Sequence, residues 1–237
     1  MYVKHKICVL ASIACFLAVN FAVTDHPGNL DNMKKEKQLT WLALGDSYTI
    51  GEAVQEHERF AAQAIAMLKA DGFVFSEPRY IATTGWTTQD LLNAIHQQTL
   101  SARYDIVSLL IGVNDQYQHL DSAGYRERFT ECLEAAIRFA GNNVDHVFVL
   151  SIPDYSVTPF AADRDTAQIA KEIDEFNAIN KAITLSYDIS YVEITALSRE
   201  AKEDTSLIAS DGLHPSEKEY ARWATLLATE IKKVMLP

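Results

Sequence analysis

Four short blocks of this 237-residue chain hold side chains able to do chemistry. Gly45-Asp46-Ser47 follows an apolar run, Trp41 to Leu44, and carries a hydroxyl. Gly85 stands in the turn Thr83-Thr84-Gly85-Trp86, and Gly112-Val113-Asn114-Asp115 offers a side-chain amide. Asp211-Gly212-Leu213-His214-Pro215 sets a carboxylate three residues before an imidazole. Acyl transfer from an ester needs a nucleophile, a base, a group that orients the base and donors for the oxyanion. Ser47, His214 and Asp211 could fill the first three roles. The N–H groups of Ser47 and Gly85 and the amide of Asn114 could serve as donors. Taken alone, Ser47 or Thr49 is equally readable as a helix cap at a strand-to-helix turn. The later blocks favour chemistry.

These blocks need a frame that brings them to one place. Apolar runs at Trp41–Leu44, Arg79–Ala82, Ile106–Ile111, Val147–Leu150 and Ile189–Ile194 read as strands. The third is β-branched and apolar throughout, as a parallel strand covered on both faces should be. Between them lie helical patterns. One over Arg59–Ala70 turns Phe60, Ala64, Met67 and Leu68 to one face, and one from Thr87 or Thr88 to about Leu100 turns in Leu91, Leu92 and Ile95. Others cover Ser122–Ala140, Thr166–Ser186 and Ser216–Val234, the last entered through Pro215. Strand and helix alternate five times. The expected fold is α/β, a three-layer α/β/α sandwich on a flavodoxin-like five-stranded parallel sheet. Its turns after the strands share the carboxyl edge, where such sheets place ligands.

The rest of the chain bounds partners and compartment. Formal charge is −11, and removing residues 1–23 leaves 19 basic against 32 acidic residues. Such a surface repels phosphate backbones and anionic membranes, so nucleic acid is not an expected partner. Residues 1–23 have a basic start, Lys4 and Lys6, and an apolar stretch from Ile7 to Val23 broken by Ser12 and Asn20. This is the pattern of a signal peptide or N-terminal anchor. Asn20 fits a cleavage site after Ala22 poorly. Cys15, after Ser12-Ile13-Ala14, resembles a bacterial lipoprotein box without its usual large aliphatic residue. Export to a periplasmic or extracellular location is expected, with membrane attachment only through this segment or a lipid. Residues 24–39 read as a polar linker and 40–237 as the folded domain. Cys132 is the one thiol beyond the leader and reads as a small core residue.

In their order and spacing, the four blocks resemble the SGNH hydrolases, also called GDSL-type lipases and esterases. The resemblance implies Ser47 as nucleophile, His214 as base, Asp211 as its partner, and Gly85 and Asn114 completing the oxyanion hole with Ser47. Tyr48 stands where the family's name has leucine. Ser151-Ile152-Pro153-Asp154 with Thr158-Pro159-Phe160 resembles a bacterial subgroup often labelled lysophospholipase-like. Asp46, next to Ser47, is expected to brace the turn rather than serve the triad. No cofactor is expected. Nor is a metal, since no helical His pair or Cys cluster accompanies Asp46, Asp115, Asp211 and His214. No G-x-S-x-G, G-x-G-x-x-G or P-loop pattern is present. Trp86, Tyr117, Tyr155 and Phe160 fall in loops at the expected edge, where they could line an acyl groove, stack on sugars or simply pack the loops. The expected substrate is a small-molecule carboxylic ester of short to medium acyl chain, with lysophospholipid included. A carbohydrate O-acetylesterase, or an acyltransferase using the same triad, is the alternative.

Overall fold

The computed structural model describes residues 38–97 and 103–236. The leader, most of the linker and the expected helix end at Leu100 lie outside the described residues. Five strands, β1 (Trp41–Gly45), β2 (Arg79–Ala82), β3 (Ile106–Leu110), β4 (Val147–Leu150) and β5 (Ser190–Val192), form one sheet in the order β2-β1-β3-β4-β5. Every neighbouring pair is parallel. All residues of β1, β3 and β4 are buried, which explains why their sequences are apolar without alternation. Leu39, the last residue of the expected linker, forms a parallel bridge with Phe75.

The helices are α1 (Ser47–Ile50), α2 (Phe60–Ala70), α3 (Thr88–Gln97), α4 (Val113–Tyr117), α5 (Ser122–Phe139), α6 (Thr166–Ser186), α7 (Thr195–Arg199) and α8 (Glu217–Met235). The chain moves one way from β1 to β2 and the other way thereafter. Right-handed crossovers therefore put α2 on one face of the sheet and α3, α5 and α6 on the other. Accordingly α2 packs on α8, and α5 packs between α3 and α6. The α8 stripe of Tyr220, Trp223, Ala224, Leu227 and Ile231 keeps helical spacing and is buried. Burial of each such large apolar side chain contributes about 1.5–3 kcal/mol. On α2 the buried stripe is Phe60, Ala61, Ala64, Ile65 and Leu68, with Met67 only half-buried.

Two expectations change. The fifth strand ends at Val192 instead of Ile194, because Ser151 Oγ accepts the N–H groups of Ile194 and Thr195 at 2.8 and 3.0 Å and turns the chain into α7. Asn114, expected in a turn, lies in the short helix α4. Among the described residues no helix is long and apolar enough to cross a membrane.

Candidate active site

The reversal of direction between β1 and β3 opens a crevice at their carboxyl ends, where Gly45 lies beside Leu110. Gly45 is required by close approach. A Cβ there would fall 2.2 Å from the carbonyl oxygen of Leu110 and 2.1 Å from Thr49 Oγ1. The chain can then turn directly into α1, whose first residue is Ser47. Asp46 caps this helix, its Oδ1 accepting the N–H of Tyr48 at 3.0 Å, which is the bracing role expected of it. Its other oxygen is buried without a partner. Burial pushes the Asp46 carboxyl up to about 8, the charge of Asp115 adds to this and the Tyr48 N–H opposes it.

The opposite wall is built by the turn before α8. Asp211 Oδ1 accepts the N–H groups of Leu213 and His214, both at 3.0 Å, closing an Asx-type turn. Its Oδ2 lies 2.6 Å from His214 Nδ1. One carboxylate thus shapes the turn and orients the ring, leaving Nε2 as the nitrogen free to take a proton. Partial burial pushes the Asp211 carboxyl up. The ring and the two N–H groups outweigh that and hold it below the usual value. The ring edge of Tyr48 meets the imidazole at 5.5 Å between centroids, and the Tyr220 hydroxyl of α8 donates to the Tyr48 carbonyl at 3.0 Å. The turn that carries His214 and the turn that carries Ser47 are therefore braced against each other.

Adjacent residues of α4 divide the work at the third block. Asn114 faces the cavity and donates from Nδ2 to the carbonyl of Trp86 at 2.9 Å. Asp115 is fully buried. It accepts the Thr88 N–H and hydroxyl at 2.8 and 2.6 Å and pairs with Arg128 at 3.2 Å, tying α3, α4 and α5 together. Gly112 enters α4 at φ 129°, with the Tyr125 hydroxyl only 2.7 Å from where a Cβ would lie.

Ser47, Asn114 and His214 line one cavity of about 140 Å³, together with Tyr48, Val113, Tyr117, Tyr155, Phe160 and Leu213. Three of the four expected aromatics are on its wall. Tyr117, Tyr155 and Phe160 stand at 6.1–6.3 Å from one another. Tyr155 donates to Gln116 Oε1 at 3.0 Å, and the N–H of Phe160 donates to the Gly212 carbonyl at 3.0 Å, which joins the aromatic loop to the His214 turn. Trp86 and Gly85 do not line the cavity. The Trp86 ring packs against the core, and Gly85 is an exposed residue of a tight turn closed by the Trp86 N–H on the Thr83 carbonyl. Tyr48, Val113 and Leu213 were not singled out from sequence. Each adjoins Ser47, Asn114 or His214, and that adjacency was the available signal. Among the described residues no group of three or more His, Cys, Asp or Glu is placed to hold a metal ion.

A parallel sheet of this order, with a serine and a histidine–aspartate pair at its carboxyl edge, carries the groups that ester hydrolysis needs. The family model described as GDSL-like lipase/acylhydrolase matches residues 43–222. The chain belongs to that family, as the four sequence blocks implied, and is an ester hydrolase of the GDSL type. No curated protein matches it in sequence. Among solved structures, a lipase/acylhydrolase from Enterococcus faecalis is 20% identical, with 83% of this chain and 96% of that one covered at a TM-score of 0.63. An acetyl xylan esterase from Geobacillus stearothermophilus is 19% identical, covering 81% and 94% at a TM-score of 0.59. A psychrotrophic esterase from Pseudoalteromonas sp. is 18% identical, covering 82% and 97% at 0.57. At such identities the likeness shows the shared fold.

Proposed function

We propose that the protein hydrolyses carboxylic esters of short to medium acyl chain through an acyl-enzyme on Ser47. The observation that carries this reading is one cavity shared by Ser47, Asn114 and His214, with Asp211 on the far ring nitrogen at 2.6 Å. Ser47 Oγ attacks the carbonyl carbon while His214 Nε2 takes the hydroxyl proton. Asp211 stabilises the imidazolium. The carbonyl oxygen becomes an oxyanion and accepts from Asn114 Nδ2 and the Ser47 N–H, which as the first amide of α1 has no acceptor within the helix. The imidazolium then protonates the departing alcohol. Water repeats the sequence to release the acid and restore Ser47. The Gly85 N–H is proposed as a further donor on the family resemblance alone.

The apolar wall of Val113, Tyr117, Tyr155, Phe160 and Leu213 supports a neutral acyl or alcohol chain beside the reacting carbonyl. The test is kcat/KM on p-nitrophenyl esters from acetate to decanoate. It should rise with chain length while the groove lasts, by up to about 0.8 kcal/mol for each CH₂ buried. A collapse beyond acetate, with good turnover of acetylated sugars, would replace this reading with a carbohydrate deacetylase. Ser47→Ala should be inactive with an unchanged circular dichroism spectrum, and near-normal activity in that variant would overturn the mechanism. Export is proposed from the leader, and fractionation that finds the uncut chain in the cytoplasm would overturn it.

A further inference from the structure

The mouth of the cavity carries a cation that the hydrolytic steps do not use. Arg164 lies between the short 3₁₀ turn Pro159–Ala161 and α6 and is exposed. Its guanidinium carbon stands 4.7 Å from the ring centroid of Phe160 and 5.1 Å from that of Tyr117. One N–H donates to the Tyr117 hydroxyl at 3.2 Å. Both rings belong to the wall that also holds Ser47 and His214. Two aromatic rings and a hydrogen bond thus hold the head of a side chain that would otherwise wander in solvent.

Its charge is left unanswered. Some of the chain's other arginines are answered by carboxylates, Arg128 by Asp115, Arg199 by Asp154 and Asp174, and Arg222 by Glu219 and Glu200. Among the described residues Arg164 makes no ion pair, although Asp163 and Asp165 flank it. Asp165 is committed to capping α6 through the Gln168 N–H at 3.0 Å. Glu172, the acid near Tyr155, is held by Gln116 and Gln168, each at 2.7 Å. A guanidinium has five N–H donors in a planar fork that matches a carboxylate or phosphate. Among the described residues only one of these is used, toward the Tyr117 hydroxyl. By covering ring faces of Tyr117 and Phe160, the guanidinium also takes them from sugar stacking.

We propose that Arg164 is a specificity-determining residue that selects esters bearing an anionic group, carboxylate or phosphate, at the end that emerges past the Tyr117–Phe160 rim. This rests on the esterase reading of Ser47. The substrate class is an ester with an apolar segment between the scissile carbonyl and the anion, the segment lying on the aromatic wall.

The test compares wild type, Arg164→Gln and Arg164→Lys on matched esters. Phenyl butyrate is neutral, 4-butyryloxybenzoate and 4-butyryloxyphenyl phosphate carry the anion on the alcohol side, and monophenyl glutarate carries it on the acyl side. For at least one anionic ester, the ratio of its kcat/KM to that of phenyl butyrate should fall about 10–100-fold in Arg164→Gln, the worth of a hydrogen bond to a charged group. Arg164→Lys should recover part of it. The ester affected identifies the side, and carboxylate against phosphate identifies the anion. Ratios unchanged for every anionic ester would overturn the proposal. A wild-type protein that hydrolyses none of the four refutes the esterase reading instead. Titration with 4-butylbenzoate and 4-butylbenzyl alcohol then still decides the role of Arg164. Preference for the anion, lost in Arg164→Gln, supports it, and equal binding of both refutes it.

Discussion

Replacing Asp46 by asparagine should make the protein more stable, and increasingly so as pH rises. Asp46 is fully buried, one oxygen caps α1 through the Tyr48 N–H and the other has no partner. Its carboxyl is pushed up from 3.8 to about 8, chiefly by burial. The unfolded chain releases this proton near pH 4, whereas the native chain keeps it until about pH 8. Over that window the unfolded state binds fewer protons, so stability falls as pH rises. At about 1.4 kcal/mol per unit, the penalty reaches roughly 4 kcal/mol at pH 7. Asparagine retains a carbonyl oxygen for the Tyr48 N–H and buries an unpartnered N–H₂ much as the neutral acid buries its O–H. The two proteins should therefore unfold with similar free energy at pH 4. Urea titrations at pH 4 to 8 and fixed ionic strength would read the difference, since all other titrating groups are common to both. A difference that stays flat across the range would refute the reasoning. So would a variant that loses ground as pH rises, because Asp46 would then be ionised and stabilised in the native protein.

Asn114→Ala should lower kcat about 10²–10³-fold with little change in KM, as loss of one oxyanion donor does. Steady-state kinetics that show a pure KM effect would assign Asn114 to ground-state binding. Gly112→Ala should cost about 2–5 kcal/mol, because alanine is strained at φ 129° and its methyl would press on the Tyr125 ring and Ile152. An unshifted urea midpoint would contradict that.

Much of the frame could be read from residues whose types answer directly to burial. The runs Arg79–Ala82 and Val147–Leu150 became strands with the bounds expected, and α6 likewise covers Thr166–Ser186. The turn at His214 was legible because the Asp-x-x-His spacing serves two purposes, turn closure and ring orientation, and both are met by Asp211. Elements of one turn, such as α1, α4 and α7, were not legible, since a single turn is too short to show a period. Loop direction was hidden as well. The sequence put Trp86 at the correct edge of the sheet, but whether its ring turned to the cavity or the core depended on packing space, and the core took it. Arg164 carried no signal at all. It is one charged residue in a polar stretch, and its placement over Tyr117 and Phe160 exists only once the loop is folded.

The hydrogen bond from Tyr220 to the Tyr48 carbonyl joins residues 172 positions apart. Gln63 on α2 likewise donates to the Glu217 carbonyl at the start of α8, 154 positions away, and Asp71 pairs with Lys232 at 3.0 Å. The unit of β1, α1 and α2 is therefore sealed by α8, and long-range contacts of this kind are slow to form. A chain synthesised only as far as α7 would carry Ser47 without the imidazole that the proposed mechanism requires. On that mechanism, hydrolytic capacity would arrive when α8 docks and carries the His214 turn with it.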